Sequence, residues 1–342
     1  MKKSLVALAV LGAFAGAASA QSSVTIYGLI NVAITKENGG TANITQTTSG
    51  PTGNAYRLQH FATSRLGFRG NEDLGGGLSA QFQIEHRFNP DTGAQNNADS
   101  FWSGRSFVQL TQAGVGSVYA GRDYTPIFWV QLKTDPFAND GMAQSGSGAT
   151  YATYSTPATG SLGGARAPNS IGFISSSFGG FVGRATVSLS ETSQIGRIMG
   201  LAGEYTAGPL YAGVGYETVK DGQFDGAGLL NVGVSYDLGF VKPMGYYGRS
   251  KTRQVVGSTT NKNTNTNHVW ALGATAPVGP GVFKAMYYKL DPRFANNTRQ
   301  KLGLGYDYIL SKRTNLYAEG VYGKEDQRTK KTGFAIGVKH LW

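Results

Sequence analysis

Apolar and polar residues alternate with a period of two along almost the whole chain. In 230–238, Leu230, Val232, Val234, Tyr236 and Leu238 alternate with Asn231, Gly233, Ser235 and Asp237. In 301–308, Leu302, Leu304, Tyr306 and Tyr308 alternate with Lys301, Gly303, Gly305 and Asp307. The stretches 78–85, 181–189 and 210–217 repeat the scheme. Successive strand side chains point to opposite faces, so each segment predicts a β-strand with one apolar face. The pattern predicts sixteen strands, near 24–35, 56–70, 77–88, 101–112, 116–123, 167–178, 180–191, 197–207, 209–219, 228–239, 241–252, 267–277, 281–290, 299–310, 314–324 and 333–342.

The connections alternate in length. Tight ones include 75–77, 113–116, 179–180, 208–209, 279–280 and 311–313; long polar ones include 36–55, 89–100, 220–227, 253–266 and 325–332. Short turns at one end and long loops at the other are the layout of an outer-membrane barrel, whereas a soluble sandwich gives no reason for it. The expected fold is therefore all-β, a sixteen-stranded antiparallel transmembrane barrel. The chain ends on "GFAIGVKHLW", in which Phe334, Ile336, Val338, His340 and Trp342 share one parity. Chain ends usually fray, so a terminal aromatic on the apolar face implies a docked end. Closure requires the last strand to pair with the first, near Val24–Ala33, removing both sheet edges. Trp342 then falls in the aromatic girdle at one membrane interface.

Composition refines this. Lys2 and Lys3 precede an apolar stretch from Leu5 to Ala18, and Ala18-Ser19-Ala20 precedes Gln21. That is a secretory signal with a small-residue cleavage site, too short to span as a helix. The domain reading is a signal peptide at 1–20 and a barrel at 21–342. Removing 20 of the 342 residues leaves 322, about twenty per strand with its connection, as spanning strands of roughly 9–11 residues need. A barrel this wide leaves an aqueous channel. Charged residues are 15% of the chain, below the roughly 25% usual for soluble domains, and 50 residues are Gly. With 0 Cys there is no disulfide framework and no thiol chemistry. A mean hydropathy of −0.22 does not argue for solubility, because half of each spanning strand faces the lumen.

The chain resembles the general diffusion porins of Gram-negative bacteria, most of all the branch from β-proteobacteria and neisserial species. "SVTIYG" at 23–28, "SRLGFRGNEDLGGGLSAQFQIE" at 64–85, "GSVYAGRDYTP" at 116–126, "TNLYAEGVYG" at 314–323 and the ending "GVKHLW" carry the likeness. One departure is terminal: the family ends in Phe, this chain in Trp342. The resemblance implies a homotrimer in outer-membrane lipid and lipopolysaccharide, inserted by the barrel-assembly machinery. It implies passive passage of ions and small hydrophilic solutes, with no cofactor.

A single long connection, from Tyr124 to about Ala165, is of the length that usually signals function. By resemblance it is the third external loop, folded into the barrel, with Asp135 and Asp140 in "DPFAND" as its acidic residues. The facing wall is expected to be basic. Leu66 and Phe68 on the lipid face place Arg65, Gly67 and Arg69 inward; Val108 and Leu110 place Arg105 and Gln109 inward. Arg65 and Arg105 match the family's constriction arginines, and Arg166 is the expected third. Arg69, Arg87, Arg122 and Arg184 are further lumen charges. Arginines keep their charge in a confined pore, and basic linings favour anions.

Other chemistry is sparse. His60, His86, His268 and His340 have no metal-ligand spacing, and no Gly-x-Ser-x-Gly elbow occurs. The basic residues are spread over strands and rims rather than gathered on one face, which argues against nucleic acid. A barrel hydrolase would need a nucleophile and His at the outer rim, and none is apparent. A substrate-specific porin, or an added adhesive role for the Thr/Asn/Gly-rich loops 36–55 and 253–266, are the alternatives.

Overall fold

In the computed structural model the described residues are 23–42, 54–61, 63–98, 100–145, 165–189, 196–221, 225–255, 262–293 and 297–342, with 252–255 and 262–265 described as backbone only. The segment expected to be a signal peptide lies outside them. The strands are β1 (Ser23–Glu37), β2 (Tyr56–Gln59), β3 (Ser64–Gly75), β4 (Leu78–Phe88), β5 (Ser106–Gln112), β6 (Gly116–Tyr124), β7 (Arg166–Ser175), β8 (Phe181–Ser188), β9 (Arg197–Ala207), β10 (Leu210–Lys220), β11 (Gly228–Tyr236), β12 (Lys242–Val255), β13 (Lys262–Val278), β14 (Gly281–Pro292), β15 (Arg299–Ile309), β16 (Thr314–Glu325) and β17 (Lys331–Leu341). Among the described residues a helix, α1 (Pro126–Leu132), follows β6. All the strand pairings are antiparallel, and β1 pairs with β17, so the sheet closes.

The seventeen strands make sixteen staves, because β2 and β3 share one. β2 pairs with the second half of β1, Ala33–Lys36, and β3 with its first half, Ser23–Leu29. Between the pairs Ala33–Gln59 and Leu29–Arg65, β1 moves four residues while its partner moves six. The ladder opens there and Asn31, 1% exposed, fills it. Its amide oxygen accepts from the Phe61 N–H at 2.9 Å and the Tyr317 hydroxyl at 3.1 Å, and its own N–H donates to Ser64 Oγ at 3.0 Å.

Exposure follows the predicted parity in an inverted sense. Ile26, Ile34, Val108, Leu201, Leu272, Leu304 and Ile336 are exposed, whereas Thr35, Glu217, Asn231, Lys301 and Glu319 are buried. In water so much exposed aliphatic surface would drive association. Against hydrocarbon it is the required outer face of a barrel with a polar interior.

Closure uses Leu29–Glu37 against Gly333–Leu341, further along β1 than the expected Val24–Ala33. The reason is length: β17 ends before it reaches the first residues of β1, which pair with β3 alone. Trp342 N–H and C=O exchange bonds with Gly28 at 3.3 and 3.4 Å. Its ring lies over Gly28, where an added Cβ would sit 1.9 Å from the indole. Two other expectations shift. The fourth spanning strand begins at Ser106 rather than 101, because Phe101 leaves the ladder to stack on His86, centroids 4.0 Å apart. The connection expected at 253–266 is largely strand: β12 and β13 stay paired as far as Val255–Lys262.

Candidate pore constriction

The chain between β6 and β7 turns into the barrel. Pro126 opens α1, where its missing N–H costs nothing. Ile127, Phe128 and Val130 are buried as α1 packs against β9, β10 and β11. The wall there presents glycines inward. A Cβ at Gly273 would meet Pro136 at 2.4 Å, one at Gly303 would meet Ala143 at 2.7 Å, and one at Gly305 would meet Phe137 at 2.8 Å. These bare positions form a trough in which Phe137, Met142 and Ala143 bury against β13–β17. Polar ties then fix the loop. Asn231 donates to the Ile127 carbonyl at 2.7 Å, the Ala143 N–H donates to Glu319 Oε2 at 3.0 Å, and Lys133 pairs with Glu204. Lys301 Nζ donates to the Gln144 carbonyl. The described part of the loop, 125–145, thus lies on the β9–β17 side and leaves the β3–β7 side facing it.

The two loop aspartates occupy different places. Asp135 is 4% exposed; its oxygens accept from the Phe137 N–H at 2.8 Å, the Ser145 N–H at 2.9 Å and Ser145 Oγ at 2.8 Å. It staples the loop to itself. Asp140 reaches the lumen, where Lys339 Nζ on β17 pairs with it at 3.1 Å. Ala138 and Asn139, with φ of 50° and 55°, make the turn that delivers it.

On the facing side, Arg65, Arg87, Arg166 and Tyr124 line one cavity of about 440 Å³ with Phe137, Asp140, Lys284 and Lys339. Tyr124 is the hub. Arg166 Nη2 donates to its hydroxyl at 2.6 Å and Arg87 Nη2 at 3.3 Å, and the Arg166 guanidinium lies 4.3 Å from its ring centre. Glu85 holds the cluster together: Arg87 grips its Oε1 through Nε at 2.9 Å and Nη2 at 2.6 Å, while Arg65 Nη1 lies 3.7 Å from Oε2. Five basic side chains line this cavity with one lining acid, Asp140, while Glu85 pairs with Arg65 and Arg87 and Asp307 pairs with Lys284 at 2.8 Å. Like charges persist so close together because guanidinium does not deprotonate and the shared carboxylate and phenol oxygens accept from it.

Arg105, 5.7 Å from the Tyr124 ring centre, is tied to a different acid. Its fork is bidentate on Asp123, at 2.6 and 2.8 Å, and its Nη1 donates to Gln83 at 2.9 Å. Arg69 lies toward the short-turn end, in a second cavity of about 290 Å³ with Gln83 and Phe107. Arg122 donates to the Ser103 carbonyl at 3.1 Å, and Arg184 to Glu204 at 2.6 Å. Sequence reasoning does not single out Glu85, Asp123, Tyr124, Lys284 or Lys339, although parity places Glu85 on the lumen face with Gln81 and Gln83. Among the described residues no cluster of His and acidic groups could hold a metal. His60, His86, His268 and His340 are separated, His268 bonding Tyr247 at 2.9 Å and His340 bonding Thr314 at 2.8 Å.

A closed wall, apolar outside and polar within, with a loop laid across a basic lumen defines a diffusion channel of the outer membrane. The chain belongs to the Gram-negative porin family, whose match covers residues 7–328. Outer membrane porin protein 32 of Delftia acidovorans is 33% identical over all of both chains, and an outer membrane porin of Bordetella pertussis is 30% identical over 99% of this chain and 100% of its own. The solved structure of an anion-selective porin from Comamonas acidovorans superposes with a TM-score of 0.80 at 28% identity, covering 94% of this chain and 100% of that one.

Proposed function

We propose that this porin passes small hydrophilic solutes passively and favours anions, with Arg65, Arg87 and Arg166 as the basic wall and Asp140 on the loop opposite. The observation that carries the reading is the basic lining of the cavity at the loop: Arg65, Arg87, Arg166, Lys284 and Lys339 outnumber Asp140 there, and still exceed it when Glu85 and Asp307, which pair with three of them, are counted. Low-dielectric walls focus that charge onto passing ions, and basic rings attract anions. The Comamonas porin is anion-selective, which supports the same sign here. The active form is a homotrimer, as its family likeness implies. Residues 1–20 direct export and are removed, and the barrel-assembly machinery reads the strand ending at Trp342. The family consists of channels, and this chain acts as one without catalysis.

The test is reversal potential in planar bilayers across a KCl gradient. Anion preference sets the zero-current potential on the chloride side; cation preference would overturn the proposal. Three equal closing steps per insertion report the trimer, and single steps would refute it. Saturable block of the current by one solute would favour a substrate-specific channel instead.

A further inference from the structure

On the short-turn side of the constriction the lumen wall carries a second group of inward side chains. The register aligns Thr25, Arg69, Gln83 and Phe107 in one row across β1, β3, β4 and β5. Arg69 lies four residues beyond Arg65 on β3, about 13 Å along the strand at ~3.3 Å per residue. That exceeds the Debye length of ~10 Å at 0.1 M salt, so the two charges act on an ion separately. Gly67 stands between them and is covered by the Tyr27 ring, where an added Cβ would lie 2.2 Å from it. Tyr27 is itself pinned, its hydroxyl donating to Glu85 at 3.2 Å and accepting from Gln83 at 2.5 Å.

Arg69 differs from the arginines nearby. Arg65 and Arg87 share Glu85 and Arg105 holds Asp123, whereas Arg69 is exposed in the lumen and forms no ion pair or hydrogen bond among the described residues. Its guanidinium lies 5.5 Å from the Tyr27 ring centre. Beside it an amide chain runs in one direction. Gln109 Nε2 donates to Gln81 at 3.0 Å and Gln81 Nε2 to Asn71 at 2.9 Å, which leaves Asn71 Nδ2 as the open end. Phe107 is a half-buried phenyl on a face that water wets. The Arg105 guanidinium, 4.8 Å from its centre, and the edge-on Tyr119 at 5.9 Å hold it in place. Arg69, Asn71, Gln83 and Phe107 line a cavity of about 290 Å³. That is close to the lower end of the roughly 300–1,000 Å³ of small-ligand sites.

We propose that Arg69, Asn71 and Phe107 form a second anion station, which takes small aromatic carboxylates once they clear the constriction. The proposal rests on the anion-preferring reading above and names a solute class for it. The carboxylate meets the free guanidinium fork, with Asn71 Nδ2 and Thr25 Oγ1 as neighbouring donors, and the solute ring lies against Phe107. One unpaired cation selects a monoanion, and a halide would leave the phenyl face and most of the cavity unused. Two stations in series suit conduction, since a site that holds an anion must also release it.

The experiment uses the purified full chain in planar bilayers with KCl on both sides. Sodium benzoate, sodium acetate and benzyl alcohol are titrated, and the fractional loss of chloride current is read. Benzoate is expected to block saturably; acetate, which lacks the ring, and benzyl alcohol, which lacks the charge, should each bind about fivefold more weakly or worse. That comparison needs no variant. Arg69→Gln should weaken benzoate block about fivefold. Phe107→Leu keeps every charge and should weaken benzoate block by about the same factor without weakening acetate. Stable single-channel steps in KCl establish that each variant is folded. No saturable block of the parent channel, or equal block by acetate, overturns the proposal, while the reversal potential in KCl alone decides anion preference independently. Cation preference in KCl together with benzoate block that Arg69→Gln relieves would refute that reading and support this site. Block unchanged in Arg69→Gln or in Phe107→Leu overturns the proposal, as does block relieved by Arg166→Gln alone, which would place benzoate at the constriction.

Discussion

Replacing Arg166 by Gln removes one charge from the wall while keeping a donor for the Tyr124 hydroxyl that Arg166 now binds at 2.6 Å. An ion passing at ~6 Å through water-filled lumen feels one unit charge as about 0.7 kcal/mol, and a Debye length of ~10 Å at 0.1 M salt nearly halves that. The sign reverses between anion and cation, so the preference shifts by about 0.8 kcal/mol, or nearly fourfold per charge. Arg166→Gln is therefore expected to cut the anion-to-cation permeability ratio about fourfold, and Arg65→Gln with Arg166→Gln about fifteenfold. The control is Arg105→Gln with Asp123→Asn. That pair is bidentate at 2.6 and 2.8 Å, so neutralising both leaves the net lumen charge unchanged. Its permeability ratio should stay within about 1.5-fold of the parent. Reversal potentials at 0.1 M salt measure all three, and 1 M salt should shrink every difference as the Debye length falls to ~3 Å. An Arg166→Gln channel indistinguishable from the parent at low salt, or a double neutral variant that shifts as far as Arg166→Gln, would refute the reasoning.

Asp140→Asn unpairs Lys339 and removes the one acid lining the cavity, so anion preference should rise by a similar factor, about fourfold, in the same assay. Gly303→Leu puts side-chain volume where a Cβ alone would lie 2.7 Å from Ala143; the loop should lift from its trough, seen as altered conductance and frequent closures in single-channel records. Asn31→Ala leaves the Phe61 N–H and the Tyr317 hydroxyl without their acceptor inside the wall, and should cost about 1–3 kcal/mol in urea unfolding from lipid vesicles.

The staves are legible in the sequence because each crosses between lipid and water and so carries a period of two. Legibility fails where that contrast disappears. "KTRQV" and "KNTNTN" are polar at nearly every position, so the pattern reads as loop although β12 and β13 remain hydrogen-bonded there. Backbone pairing continues without an apolar neighbour to mark it. The opening between β2 and β3 is hidden for another reason: one side chain, Asn31, replaces ladder bonds, and nothing in "QHFATS" announces it. At the site, parity and family likeness pick out the arginines but not how they are shared. Asp123 claims Arg105, while Glu85 and Tyr124 gather Arg65, Arg87 and Arg166 from three strands. Such pairings depend on stagger between staves, which period alone does not carry. Parity marks the glycines at 303 and 305 only as inward-facing partners of apolar residues. The purpose they share with Gly273, a seat for the loop, needs the loop in place to be seen.

The opening at His60–Thr63 adds two residues to one stave. An even surplus returns the chain to the same in–out phase, so Tyr56 and Leu58 above it share an outward direction with Leu66 and Phe68 below. Shortening the segment by one would turn Arg57 and Gln59 toward hydrocarbon and Leu58 toward electrolyte. A wall between two solvents can therefore gain or lose residues mid-stave only in pairs, and indels inside its staves should be even-numbered, while those in its outer loops are free.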